Sequence, residues 1–183
     1  AFFLEYVPDP VIQEFLTGAE YTIDMLCDFD GRPLSVVPRE RVVIRSGVTD
    51  RGRTSGDRAM IDLALACAGV LDFAGAVNIQ CRIVDGRPVI FEINPRFSGG
   101  IPLTIAAGAD FPRMLVDLTL GRRVAPRIGR YQRDLWMTSY ESSVFVADGD
   151  ENLLEPGEVL ALAAAASPAA RSASPPIDRL GAA

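Results

Sequence analysis

The sequence contains no histidine and no lysine; all 18 of its basic residues are arginine. Without histidine there is no imidazole base and no histidine-ligated zinc site. Without lysine there is no side-chain amine to form a Schiff base with a carbonyl substrate. Carboxylates, amides, arginines and any metal ion that they bind are what remains for chemistry.

Cysteine is scarce, and its spacing argues against a disulfide scaffold. The three cysteines, Cys27, Cys67 and Cys81, lie in apolar segments and form no CxxC pair. Isolated buried thiols in an odd number are typical of a reducing compartment, so a cytoplasmic location is expected.

Long apolar runs and an excess of positive charge are also missing. No segment reaches the roughly 18 apolar residues that a membrane span needs, and no secretory signal opens the sequence. The formal net charge of −6 disfavours nucleic-acid binding, because a phosphate backbone attracts clustered positive charge. We therefore expect neither a membrane nor a nucleic acid as partner. The first residue is Ala1 rather than methionine, so a piece of a longer protein is expected.

Hydrophobic residues make up 49% of the 183 residues and occur in short runs, which predicts a globular domain. The pattern indicates an α+β fold, with a mainly antiparallel sheet and helices packed on it. Two Asp-Gly pairs, at 30–31 and 85–86, predict hairpin turns, and the glycine-rich polar segment 47–56 predicts a loop. Strands are expected at 11–16, 20–28, 34–37 with 41–45, 77–84, 89–94 and 135–145, and helices at 57–68, 102–107 and 111–120.

The chain changes character near residue 147. Residues 1–146 have the composition of a folded domain. Residues 147–183 are rich in alanine, serine and proline and offer no apolar face to bury, so they are expected to form a largely disordered tail.

The densest cluster of chemically useful residues is the stretch Glu92-Ile93-Asn94-Pro95-Arg96. Alternate side chains of a strand share a face, so Glu92 and Asn94 point to one side, and Pro95 ends the strand beside them. A carboxylate, an amide oxygen and the guanidinium of Arg96 suit Mg²⁺ bound to phosphate oxygens. The alternative is that these polar residues form the solvated face of a half-buried strand.

The register of the preceding hairpin decides whether Gln80 joins this cluster. A two-residue loop at Asp85-Gly86 would leave Gln80 opposite Phe91, on the wrong face of the sheet. A three-residue loop with Gly86 in the left-handed conformation would place Gln80 opposite Glu92. We therefore predict the three-residue loop.

The stretch from Phe91 to Arg96, with Gln80 on the strand before it, resembles the closing motif of the ATP-grasp enzymes. The resemblance implies that Gln80, Glu92 and Asn94 hold one or two Mg²⁺ (or Mn²⁺) ions on the phosphates of ATP. It implies a catalytic role for Arg96, in contact with the phosphates or an acyl-phosphate. The glutamine is more similar to the carbamoyl-phosphate synthase branch than to the biotin carboxylase branch, where glutamate is usual.

Residues 12–21 resemble the segment that receives the adenine in this family. The backbones of Glu14 and Leu16, on either side of Phe15, would bond the base, and the carboxylate of Glu20 would bond the ribose hydroxyls. A strand backbone offers the N–H and C=O groups that an adenine edge requires. The alternative for Glu20 is an ordinary carboxylate at a strand edge.

The resemblance implies that residues 1–146 are the ATP- and Mg²⁺-binding half of a ligase that activates a small carboxylate as an acyl-phosphate and joins it to an amine. The remaining half is expected upstream of Ala1, so the chain alone is expected to be inactive. Two alternatives are a non-catalytic nucleotide-binding remnant and a domain that binds a cation such as Ca²⁺ without nucleotide. For Arg45, Arg51 and Arg53, in and beside the predicted loop, contact with phosphate or substrate and simple solvation are both open.

Overall fold

The computed structural model describes residues 5–140, and within that range the chain forms one antiparallel sheet of six strands in the order β5-β4-β1-β2-β3-β6. All neighbouring strands in this order run antiparallel. The expectation of an α+β fold with a mainly antiparallel sheet is therefore confirmed. The strands are β1 (Glu20–Cys27), β2 (Pro33–Arg45), β3 (Val48–Thr54), β4 (Gly75–Val84), β5 (Arg87–Asn94) and β6 (Trp136–Thr138), and the helices are α1 (Arg58–Ala68), α2 (Ile101–Ala106) and α3 (Phe111–Thr119).

Helix α1 covers one face of the sheet. Alternate residues of β1 and β4, such as Ile23 and Ile79, point to this face and are fully buried against helix residues such as Met60. The helix begins where the side chain of Asp57 accepts a hydrogen bond from the backbone N–H of Ala59 at 2.9 Å. This apolar layer is the main core of the domain.

The opposite face is divided into an apolar end and a polar end. At the apolar end, Leu26 and Val37 pack against Ala109 and Phe111, where α3 begins. Towards the other end, the same face carries polar side chains from β1, β2, β4 and β5. The candidate site lies on this polar half.

The prediction of a strand at residues 11–16 was wrong. The segment has no regular secondary structure, and Ile12 and Phe15 are 77% and 87% exposed. Its apolar composition favoured a strand, but strand formation depends on a neighbouring backbone to pair with. Its link to the edge strand β5 is a side-chain hydrogen bond, from Nε2 of Gln13 to the carbonyl oxygen of Phe91 at 3.3 Å.

The prediction of a loop at residues 47–56 was also wrong, since β3 occupies most of it. Ser46 and Gly47 have φ angles of 48° and 78°, the left-handed pair of a type I′ turn. Arg45 pairs with Val48 directly across that turn. The β2–β3 hairpin was not predicted because the segment is polar and because Ser-Gly indicates a hairpin turn less strongly than the Asp-Gly pairs found elsewhere in the chain.

The other predicted elements lie close to their expected positions. The last strand is shorter than predicted where the structure describes it, as β6 covers Trp136–Thr138. Residues 141–145 and the tail predicted at 147–183 lie outside the described residues. Among residues 5–140, no helix is long and apolar enough to cross a membrane.

Candidate functional site

The β4–β5 hairpin places Gln80 directly opposite Glu92, as predicted. The turn is nevertheless the two-residue form, with Asp85 and Gly86 both left-handed at φ 48° and 75°, so the prediction of a three-residue loop was wrong. The register changes inside the ladder instead. Pairing shifts next to Gln80, which leaves Phe91 as the extra residue of a β-bulge. The bulge brings the polar residues of β5 onto the face that carries Gln80.

The structure brings the three predicted metal ligands together. Asn94 pairs with Asn78, two positions along the ladder from the Gln80–Glu92 pair. Glu92 is exposed and Asn94 is half-buried. The Nδ2 atom of Asn94 is buried, and within residues 5–140 no group accepts a hydrogen bond from it. The Oε1 atom of Gln80 accepts a hydrogen bond from Nη1 of Arg41 at 2.8 Å, and a carbonyl oxygen retains a second lone pair for another partner.

One carboxylate and two amide groups make a weak cation site by themselves. In the described part of the chain, no three His, Cys, Asp or Glu residues are placed so that they could hold a metal ion. Mg²⁺ commonly takes one or two protein carboxylates and completes its coordination with water and substrate phosphates. The donor set of Gln80, Glu92 and Asn94 therefore fits Mg²⁺ carried by a nucleotide better than a free cation.

Arg41 joins these groups, and sequence analysis missed it. Its guanidinium donates hydrogen bonds to Oε1 of Glu20 at 2.5 Å, to Oε1 of Gln80 at 2.8 Å and to the carbonyl oxygen of Gly47 at 2.6 Å. Burial lowers the pKa of Arg41, and the nearby carboxylate of Glu20 opposes that shift. The signal in the sequence was strand alternation: Arg41 follows Arg39 by two residues on β2, so both share one face.

Glu20, the predicted ribose ligand, lies in the same cluster. One of its carboxylate oxygens accepts a hydrogen bond from Arg41 and the other from Arg82. A carboxylate has about four lone-pair sites, so these contacts leave acceptor capacity. The structure therefore places Glu20 beside the metal-ligand candidates, linked to Gln80 through Arg41.

The predicted adenine residues are placed differently. Glu14 and Phe15 are exposed and Leu16 is half-buried, all in the irregular segment that leads into β1. No backbone hydrogen bond of residues 11–16 occurs within the described range. The structure does not bring these three residues into the polar cluster.

A second network, which is buried and was also missed from the sequence, lies beside the cluster on the same face of the sheet. Asp24 on β1 accepts hydrogen bonds from Nε of Arg39 at 2.7 Å and from Nη2 of Arg39 at 3.1 Å. Thr104 of α2 donates to the same carboxylate at 2.5 Å, and Asn78 of β4 donates at 3.3 Å. Arg39 also donates to the hydroxyl of Ser98 at 2.7 Å. The network thus ties the loop after Asn-Pro-Arg to three strands and a helix.

A small cavity of about 170 Å³ borders both networks. No acidic side chain within residues 5–140 lines it. The buried Nη1 atom of Arg39 has no hydrogen-bond partner among the described residues. A Cβ atom at Gly100 would lie 2.3 Å from that atom, so only glycine lets the chain pass so close. Arg39 and Arg41 are each paired with a carboxylate that lies outside the lining. Among the described residues, the unpaired Nη1 of Arg39 and the guanidinium of Arg96 are what remains to meet an anionic ligand. The lining includes Arg39, Arg41, Gln80, Arg96, Gly47 and residues 98–100.

Arg96, the predicted phosphate ligand, reaches this cavity from the loop after β5. Its side chain is exposed, and its Nη1 donates a hydrogen bond to the carbonyl oxygen of Phe97 at 3.0 Å. The structure therefore places Arg96 on the cavity wall together with Arg41 and Gln80.

An α+β fold with a mainly antiparallel sheet, in which the last strand of a hairpin ends in the Glu-Ile-Asn-Pro-Arg motif, defines a protein of the ATP-grasp class. The chain belongs to that class. The family model described as "ATP-grasp in the biosynthetic pathway with Ter operon" matches residues 6–142. The resemblance stated from the sequence is therefore confirmed.

Several carbamoyl phosphate synthase large chains are similar to this chain. The arginine-specific large chain of Geobacillus stearothermophilus is 28% identical over 139 residues, covering 71% of this chain and 13% of that protein. The arginine-specific large chain of Bacillus subtilis is 32% identical over 106 residues, covering 53% of this chain and 10% of that protein. The chain thus matches only a small part of the length of these relatives.

Two solved structures share the fold. The biotin carboxylase–β,γ-ATP complex from Campylobacter jejuni matches with a TM-score of 0.56 at 11% identity, over 68% of this chain and 30% of that chain. Pyruvate carboxylase from Rhizobium etli matches with a TM-score of 0.55 at 16% identity, over 70% of this chain and 14% of that chain. At such identities the likeness concerns the fold alone.

Proposed function

We propose that this chain supplies the Mg²⁺- and nucleotide-binding face of an ATP-dependent ligase that joins a carboxylate to an amine. A carboxylate oxygen attacks the γ-phosphorus of ATP, the bond to the bridging oxygen breaks, and the products are an acyl-phosphate and ADP. The amine nitrogen then attacks the acyl carbon, loses a proton, and inorganic phosphate leaves. The observation that carries the proposal is the pairing of Gln80 with Glu92 beside an arginine-lined cavity.

Gln80, Glu92 and Asn94 would hold Mg²⁺, or Mn²⁺, on the phosphates of ATP. When bound, the ion offsets phosphate charge as the phosphoryl group is transferred. The half-buried Asn94 is compatible with this role, since its Nδ2 donor, which has no acceptor among the described residues, could bond a phosphate oxygen while its amide oxygen binds the ion. Family membership supports it as well, because the closing motif is present at residues 91–96.

Two arginines would act on the phosphates in different ways. Arg96 is the proposed catalytic residue, because its exposed side chain lies at the cavity wall and could exchange its hydrogen bond with the carbonyl oxygen of Phe97 for one with a transferred phosphoryl group. Arg41 is a positioning residue, since its hydrogen bond fixes the Oε1 atom of Gln80. Phosphoryl transfer needs positioning and charge neutralisation rather than a protein nucleophile, which agrees with the lack of histidine and lysine.

The adenosine part would lie along the irregular segment before β1. The backbones of Glu14 and Leu16 would bond the adenine edge, with Phe15 between them and Glu20 on the ribose. The backbone of residues 11–16, which makes no backbone hydrogen bond to any other residue from 5 to 140, supports this assignment, because exposed N–H and C=O groups remain available to a ligand. The phosphates are held from one side only, so we expect a covering segment from outside residues 5–140.

Nucleotide binding by the complete protein tests the proposal. Titration calorimetry with a non-hydrolysable ATP analogue should show binding that requires Mg²⁺ and that is weakened in Glu92→Gln. The matched control is Asp72→Asn, which alters an exposed carboxylate whose side chain makes no hydrogen bond or ion pair within residues 5–140. Equal affinity of Glu92→Gln and the wild type would remove Glu92 from the metal site and refute the proposal.

These titrations, together with an assay of ADP release from ATP, separate the proposal from its two alternatives. A non-catalytic remnant would bind Mg²⁺ and nucleotide but form no ADP with any panel of carboxylates and amines. A simple cation-binding domain would bind the metal equally well without nucleotide. The ligase predicts ADP formation that depends on both a carboxylate and Mg²⁺.

A further inference from the structure

A second and larger cavity, of about 440 Å³, lies at the apolar end of the same face. It shares no lining residue with the cavity bordered by Gln80 and Arg96. It is formed by β2, the beginning of α3 and the segment 123–130. Its polar lining includes Ser35, Asp110, Arg113, Arg123, Arg127 and Arg130.

Arginine is concentrated around this cavity in a chain whose net charge is −6. The two acidic residues of the lining are already engaged. Asp110 caps α3 by accepting the backbone N–H of Arg113 at 3.0 Å. Asp117 accepts hydrogen bonds from Arg122 at 2.6 Å and Arg113 at 3.3 Å, and the bond from Arg122 lowers the pKa of Asp117.

Three arginines of the lining remain available for a ligand. The side chains of Arg123, Arg127 and Arg130 make no hydrogen bond or ion pair within the part of the chain that is described. The backbone of this segment is nevertheless anchored, because the N–H of Arg127 donates to the carbonyl oxygen of Leu34 at 2.6 Å. The positive charges are therefore presented from a fixed backbone.

A buried hydroxyl at the same cavity points independently to a ligand. Ser35 lines the cavity and is 1% exposed. Its Oγ atom has no hydrogen-bond partner among residues 5–140. Buried hydroxyl groups in folded proteins almost always have a partner, since an unmade hydrogen bond destabilises the fold. A ligand oxygen in the cavity would provide that partner. The arginines alone would not indicate a ligand, because solvated arginines at a surface need none.

We propose that this cavity is a second ligand site, which binds a small organic anion that carries phosphate or carboxylate groups. The planar guanidinium fork of arginine matches both kinds of group. Met114 and Val124 provide an apolar wall for the organic part of the ligand. The cavity volume lies within the roughly 300–1,000 Å³ that is usual for small-molecule sites.

Titration calorimetry of the complete protein with pyrophosphate and, separately, with citrate tests the site. We expect saturable binding of at least one probe, and binding should weaken as salt is added because the charges are exposed. In the double variant Arg127→Ala/Arg130→Ala the Kd of that probe should rise by about tenfold or more. The matched control is Arg87→Ala, an exposed arginine on β5, which should leave the Kd unchanged. The two probes distinguish a phosphate ligand from a carboxylate ligand.

Two further variants make the test decisive. Arg96→Ala alters the other cavity, so it should leave a substantial part of probe binding intact. Binding that is abolished by Arg96→Ala but unaffected by Arg127→Ala/Arg130→Ala would overturn the proposal. Ser35→Ala should weaken binding without lowering the Tm of the ligand-free protein, because the hydroxyl that it removes has no partner among residues 5–140. An unchanged Kd in Ser35→Ala would exclude the serine from the site and remove the observation on which the proposal rests.

Discussion

Asp24 and Arg39 form a two-fold hydrogen-bonded ion pair, at 2.7 and 3.1 Å, that is buried beside the candidate nucleotide site. Asp24 is 1% exposed and Arg39 is fully buried. Desolvation makes such pairs costly to form, and their stability depends on additional hydrogen bonds that satisfy the remaining polar atoms. Thr104, Asn78 and Ser98 provide such bonds here, and Nη1 of Arg39 is left without a partner among the described residues.

We expect Arg39→Met to destabilise the domain strongly. The substitution leaves the carboxylate of Asp24 buried without a positive partner, a change that usually costs about 3–5 kcal/mol. Urea unfolding followed by circular dichroism measures the loss. Arg58→Met is the control, since Arg58 pairs with Asp62 on the exposed surface of α1 and its removal should change little. A small effect of Arg39→Met would show that the buried network does not hold the fold together.

A second prediction concerns Gly18, which lies between the proposed adenine segment and β1. Its φ angle is +106°, and a Cβ atom would lie 2.2 Å from the carbonyl oxygen of Ile83. Gly86 also has a positive φ, but a Cβ atom there would meet no atom of residues 5–140 within 4 Å. Gly18→Ala should therefore destabilise by clearly more than the roughly 1–2 kcal/mol expected for Gly86→Ala from backbone strain alone. Equal losses in urea unfolding would contradict the close approach of Gly18 to β4.

The hairpin shows how far the sequence could predict the candidate site. Strand alternation and the chemistry of the motif predicted that Gln80 and Glu92 pair, and they do. The structural cause of this pairing was mispredicted. The Asp-Gly turn has the two-residue form, and the register is corrected by a β-bulge in which Phe91 is the extra residue. A bulge changes register without a characteristic residue type, so composition alone cannot locate it.

The elements that sequence reasoning missed share a physical cause. Apolar composition at residues 11–16 and polar composition at 47–56 describe local preference, whereas strand formation depends on a partner backbone. The ion pair of Asp24 with Arg39 and the contacts of Arg41 with Glu20 and Gln80 join residues that are 15 or more positions apart. Alternation assigns such residues to a face, but the partners of each become visible only once strand order and register are known.

The three cysteines should be unreactive in the folded protein. Burial raises the pKa of Cys27 to about 11 and that of Cys81 to about 12, and it also raises the pKa of Cys67. Because only the thiolate reacts, a disulfide reagent at pH 8 should label the native protein very slowly and the urea-unfolded protein rapidly. Rapid labelling of native Cys81 would show that the sheet opens more readily than its packing suggests.

The same shifts predict how stability depends on pH. The unfolded thiols ionise near pH 8.5, whereas the folded thiols remain protonated until about pH 11 to 12. The unfolded state therefore loses protons first, and the free energy of unfolding should fall as pH rises from about 9 towards the folded pKa values. Replacement of Cys81 by serine removes its share of this dependence, which unfolding curves at pH 8 and pH 10 can measure.

The last prediction concerns the metal site and uses Gln80→Glu. Gln80 lies opposite Glu92, so the substitution places a second carboxylate across the ladder from the first. Mn²⁺ binds carboxylate oxygen more strongly than amide oxygen, and two facing carboxylates also gain by sharing one divalent cation. Mn²⁺ affinity in the absence of nucleotide should therefore increase, by about tenfold or more, in electron paramagnetic resonance titrations.

The control for that measurement is Gln132→Glu, which adds the same charge at an exposed position outside the sheet. It should leave Mn²⁺ affinity nearly unchanged, because Gln132 is exposed and does not line the cavity, and exposed charges are screened by salt. Part of the gain in Gln80→Glu is offset by Arg41, whose Nη1 lies 2.8 Å from the Oε1 atom of Gln80 and would pair with the new carboxylate. Gln80→Glu/Arg41→Gln should therefore bind Mn²⁺ more tightly than Gln80→Glu alone. Identical affinities of the wild type and both Gln80 variants would mean that the cation binds elsewhere, and that the Gln80–Glu92 pair has a structural role only.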